Sequence, residues 1–95
     1  LLLAVLAIAC NRKVTRRECS EMLDRYLDMT IAQDPSLTNL SETESRAARE
    51  VKKAMRRAEP RYAKVEAQCE AEITSREYRC AMKAPNPDAW EACID

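Results

Sequence analysis

Apolar residues recur at helical spacing in two long stretches of this chain. Cys19, Met22, Leu23, Tyr26, Leu27 and Thr30 fall on one face of a helix expected over 16–33, and the run Asp34-Pro35-Ser36 ends it. Val51, Met55, Ala58, Tyr62, Val65, Cys69 and Ile73, spaced alternately four and three, form a second stripe whose phase survives Pro60. Proline inside a helix deletes one hydrogen bond and bends the axis. The second stretch therefore predicts either a kinked helix or two nearly coaxial helices meeting at Glu59 and Pro60. A third helix is expected over 75–84, and a short fourth over 87–93 that turns Trp90, Cys93 and Ile94 inward.

The helix starts carry their own signals. Thr15 with Glu18, Ser41 with Glu44, and Thr74 with Glu77 have the spacing of a capping box, and Ile73 with Tyr78 stand at the two positions of a hydrophobic staple. Asn86-Pro87-Asp88 supplies an N-cap, a proline at the first helical position and an acid beside the positive helix end. The chain has no Gly, which removes the usual supplier of tight hairpin turns. The expected fold is all-α, a small bundle of three to four helices.

Composition makes that bundle marginal. Charged residues are 34% of the chain, aromatics 4%, and Phe is absent, so much of the apolar content is alanine. A domain of about 85 residues buries only about 60% of its unfolded surface. Crosslinks then become a structural requirement rather than an ornament.

Residues 1–10, LLLAVLAIAC, are an uncharged apolar run closing on small residues and a cysteine. A membrane span needs about 20 such residues, and Asn11, Arg12 and Lys13 interrupt this one far sooner. The length is that of a signal h-region. Leu6, Ala7, Ile8, Ala9 and Cys10 resemble the lipobox of a bacterial lipoprotein signal. The resemblance implies that residues 1–9 are a truncated signal peptide, that Cys10 carries a diacyl group on sulfur and an acyl group on its amine, and that residues 10–15 tether a domain over 16–95. Asn11, where the family places Asp for inner-membrane retention, implies the outer membrane, facing the periplasm.

Five cysteines leave one unpaired in any disulfide scheme. With Cys10 lipidated, Cys19, Cys69, Cys80 and Cys93 read as two disulfides in an oxidising compartment. An antiparallel hairpin folded at Thr74 would bring Cys69 and Cys80 to similar heights, which leaves Cys19 for Cys93. The competing pattern, Cys19 with Cys69 and Cys80 with Cys93, is nearly symmetric about the turn between Pro85 and Pro87. Four cysteines allow three connectivities.

No catalytic residue, metal ligand set or cofactor site is expected. The chain has no His, the commonest general base and metal ligand, and without Gly it cannot build a phosphate loop. A thiol oxidoreductase or a zinc site would show a close cysteine pair, and none occurs. Asp24 with Asp28 and Glu66 with Glu70 stand one turn apart, where they are expected on the solvent side. Arg46, Arg49, Lys53 and Arg56 form a basic stripe, expected to be a solvated face dispensable for folding and a candidate contact for anionic headgroups or an acidic partner. The 16 basic and 16 acidic residues balance, so no global field recruits nucleic acid.

With the leader and four cysteines in view, the chain resembles small four-cysteine lipoproteins encoded by delta-proteobacteria. The elements that carry the likeness are the early cysteine Cys19, then Cys69, the run Tyr78-Arg79-Cys80-Ala81-Met82-Lys83-Ala84, and Trp90 to Cys93. It implies no activity. The expected role is binding or scaffolding in the cell envelope, anchored in the membrane by lipidated Cys10, with an envelope protein as partner and no small-molecule substrate. A soluble periplasmic chaperone or inhibitor with an ordinary cleaved signal is the alternative, and a thiol-redox protein the third.

Overall fold

A computed structural model describes residues 12–94, and Cys10 lies outside them. Five helices follow in order: α1 (Arg16–Ala32), α2 (Glu42–Arg57), α3 (Pro60–Glu72), α4 (Ser75–Lys83) and α5 (Pro87–Ile94), with a single 3-10 turn, Pro35–Leu37, between α1 and α2. The fold is all-α, stapled by two disulfides. All three capping boxes form, each with its Ser or Thr side chain accepting from the Glu backbone and the Glu carboxylate accepting in return. Asn86 caps α5 by accepting from the Ala89 amide at 2.8 Å.

The long second stripe is broken at Pro60. Ala58 ends α2, Glu59 takes an extended backbone (φ −69°, ψ 136°), and Pro60 opens α3 at a position where its missing N–H costs nothing. The break frees α2 and α3 to present different faces to α1. On α3, Cys69 and the following Ile73 are buried as the stripe predicts. On α2 the stripe is inverted: Val51 is 60% exposed and Met55 66%, and Ala58 is exposed too.

α1 is the helix on which the others rest. Its own face buries Cys19, Met22, Leu23 and Ile31. The Tyr78 hydroxyl donates to Glu21 Oε2 at 2.5 Å and Arg25 donates to the Ala84 carbonyl at 2.6 Å, which together seat α4. Trp90 Nε1 donates to the Met22 carbonyl at 3.2 Å and seats α5. The core cluster is small: Val14, Cys19, Met22, Cys69, Ile73 and Ala81, with Tyr78, Met82, Trp90, Cys93 and Ile94 packed against it.

Val14 belongs to that core although it precedes α1. Lys13 forms an isolated antiparallel bridge with Thr74, the Val14 amide donates to the Ile73 carbonyl at 3.0 Å, and the Ser75 amide donates to the Arg12 carbonyl at 2.7 Å. Residues expected to serve as an open tether are thus docked from Arg12 onward.

The disulfides follow the competing pattern. Cys19 is joined to Cys69 (Cα–Cα 5.9 Å) and Cys80 to Cys93 (Cα–Cα 5.7 Å), which corrects the expected Cys19–Cys93 and Cys69–Cys80 pairs. The hairpin symmetry at Thr74 fails because α4 packs on α5 and α1, so Cys80 faces α5 while Cys69 faces α1. Loop-closure entropy makes the longer link the stronger staple, worth about 4 kcal/mol against about 3 kcal/mol for the shorter. Paired Cys19→Ser and Cys69→Ser substitutions should therefore lower the urea-unfolding free energy more than paired Cys80→Ser and Cys93→Ser. Equal losses, or a non-reducing peptide map linking Cys69 to Cys80, would contradict this arrangement.

Candidate interaction surfaces

One member of the basic stripe, Lys53, does not lie in solvent. Lys53 is buried at 6% exposure, and its Nζ sits 3.0 Å from Asp24 Oδ1 and 2.9 Å from Asp28 Oδ1, with Glu50 Oε1 at 3.9 Å. Arg57 also pairs with Asp24. Lys52 Nζ reaches Asp34 Oδ2 at 2.8 Å, just beyond the end of α1. Of the other stripe residues, Arg46 pairs with Glu42 at 3.6 Å on an open surface, Arg49 is half-buried, and Arg56 is exposed. The expectation that Lys53 belongs to a solvated face is corrected; Asp28 stays exposed as expected, while Asp24 is half-buried, and both turn a carboxylate oxygen to Lys53. A lysine losing its water is tolerated only where carboxylates replace it, and two on the facing helix do.

Asp24 and Asp28 of α1 find their bases by the antiparallel register of the two helices. Counting back from the turn along α1 and forward along α2, Asp28 meets Lys53, and four residues further on each helix Asp24 meets Arg57. Lys52, bonded through its ammonium, and the Ser36 amide hold the Asp34 carboxyl down at about 2 from an ordinary value of 3.8.

A second surface lies between α3 and α5, floored by α1. It is an open cleft of about 400 Å³ with Leu23, Tyr26, Leu27, Tyr62, Val65 and Trp90 in its lining. A smaller recess of about 220 Å³ continues it toward Ile73 and Ile94. Tyr26 and Trp90 pack against each other in a tilted arrangement, with ring centroids 4.6 Å apart and planes at 46°. Burial, followed by the nearby Glu91 carboxylate, pushes the Tyr26 phenol above its usual value, so it stays a neutral donor across the physiological range. Mixed charges border this cleft: Arg56 and Arg61 with Glu59 and Glu91. Periodicity marked Tyr62, Val65 and Trp90 as inward-facing, but not that the helices carrying them stand apart.

Among the described residues, no three His, Cys, Asp or Glu side chains group as a metal site, and no helix is long and apolar enough to cross a membrane. Cys19, Cys69, Cys80 and Cys93 are all engaged in disulfides. No protein-family model, curated protein or solved structure matches the chain.

Two outcomes follow from the charged seam. Lys53→Met leaves Asp24 and Asp28 facing each other with only Arg57 to compensate, and because both acids keep partial access to water the loss should be about 1–2 kcal/mol in urea unfolding. Asp34 contributes stability that is complete above its unfolded value and is lost as its carboxylate protonates. Melting temperature should therefore fall as pH drops from about 4 toward about 2, and Asp34→Asn should flatten that part of the profile.

Proposed function

We propose that this chain is a lipid-anchored protein of the bacterial envelope, held at the membrane by acylated Cys10 and acting by binding or scaffolding rather than by catalysis. One placement carries the reading. The docked segment Arg12–Val14 starts two residues after Cys10, and exposed Arg12, Lys13, Arg16, Arg17 and Arg76 gather at the same end of the domain. Acyl chains on Cys10 would hold that end, with no long spacer, against the headgroups.

Basic residues at an anionic surface are worth about 1 kcal/mol each within a Debye length. Glu18 and Glu77 are turned into their capping boxes, and although Glu18 also pairs with Arg12 and Glu21 with Arg17, those basic side chains stay half or more exposed. The anionic-surface contact first read on Arg46, Arg49, Lys53 and Arg56 therefore moves to the end beside Cys10. Several acyl chains suffice for stable anchoring where one gives only marginal binding. Two disulfides fit an oxidising compartment, and Asn11 after the acceptor cysteine fits the outer membrane. The binding role rests on apolar surface left open in the cleft and along α2.

Cys10→Ser should shift the protein from the membrane fraction to the soluble fraction, with intact mass losing the acyl groups. Unchanged membrane association, or a wild-type mass without acyl groups, would contradict the anchor and favour a soluble periplasmic protein.

A further inference from the structure

We infer that α2 is a homodimerisation helix: its outward face pairs antiparallel with the same face of a second copy of this chain. Because Lys53 and Arg57 bind acids of α1, and Lys52 binds Asp34 just beyond it, the opposite side of α2 is turned to solvent, and that side is apolar. Ala47, Val51, Ala54, Met55 and Ala58 are all exposed there.

The spacing along this face is that of a coiled-coil seam. Ala47, Val51, Ala54 and Ala58 alternate four and three, the d-a-d-a positions of two heptads. Three of the four are alanine, so two such helices can approach to about 8 Å. An antiparallel two-fold places Val51 against Ala54 of the second copy and Ala47 against Ala58, each contact occurring twice.

Charge selects this arrangement. Glu50 and Arg57 occupy the g positions on one flank of the seam, and in an antiparallel pair g faces g. Glu50 of each copy then meets Arg57 of the other, giving two opposite-charge pairs by symmetry. Glu50 is well exposed and only 3.9 Å from Lys53, while Arg57 keeps 43% of its side chain accessible beyond its contact with Asp24. In a parallel pair Glu50 would instead face Met55, and no flanking charge would be matched. The other antiparallel flank sets Ala48 against Met55, apolar on both sides.

Two heptads with an alanine seam bury less than the roughly 1,000 Å² of a lasting interface. The association is accordingly weak in solution and suited to chains already concentrated on one surface, although it does not require the lipid anchor. It can be tested on the chain from residue 10 onward carrying Cys10→Ser, which has no lipid, no odd cysteine and no apolar leader to associate through.

Sedimentation equilibrium should show the apparent mass rising from one chain toward two between the micromolar and millimolar ranges. Val51→Asp, at an exposed site, should hold it at one chain with helicity intact. E50R and R57E should each lose self-association, and mixing them should restore it, because every flanking pair is then opposite in charge. An unmodified chain that stays monomeric at millimolar concentration overturns the proposal. So does association that survives Val51→Asp, or variants that fail to recover on mixing while both remain helical.

Discussion

The Lys53 ammonium, shared between Asp24 and Asp28, decides which way α2 faces. Helices of small domains ordinarily seat their apolar stripe inward, because burial of apolar area is the main favourable term. Here the stripe of α2 consists largely of alanine, whose burial gains little, whereas the facing half of α1 presents Asp24 and Asp28. Turning the apolar side in would set alanines against those carboxylates and strip them of water. Docking the basic side satisfies both helices, and apolar surface is left outside as the consequence.

The same shortage of apolar bulk shapes the rest of the fold. Met22 and Cys19 are the largest side chains removed almost completely from solvent, so the centre of the domain is a sulfur-rich contact and not a cluster of large hydrophobes. Each remaining helix is fastened to α1 by something other than area: α3 by the Cys19–Cys69 bond, α4 by Tyr78 on Glu21 and Arg25 on Ala84, α5 by the Trp90 indole on the Met22 carbonyl. Directional bonds of this kind fix position while leaving gaps, and the cleft between α3 and α5 is one.

Local signals in the sequence were sufficient for the elements. Three capping boxes, the Asn86 cap and the break at Pro60 were all legible, because each depends on residues within a few positions of one another. Tertiary facts were harder. Periodicity finds an apolar face but does not say that the face is buried, so it points Val51 and Met55 inward and Lys53 outward, the reverse of where they lie. A usable signal existed in the matched spacing of Asp24 and Asp28 against Lys53 and Arg57, four apart on helices that a short connection makes antiparallel. The disulfide pairing needed the direction of α4, which turns on its contacts with α1 and α5 and leaves no trace in cysteine spacing. The proposed acylation of Cys10 rests wholly on the residues around it in sequence, since Cys10 lies outside the described part of the chain.

Charge, rather than apolar burial, seats α2 on α1. Nuclear Overhauser contacts in a side-chain-labelled sample read that orientation directly. The Lys53 methylenes should show cross-peaks to the β protons of Asp24 and Asp28, while the Val51 methyls show none to any α1 side chain. Cross-peaks from Val51 to α1, with Lys53 free of them, would place the apolar stripe inward and contradict seating by charge.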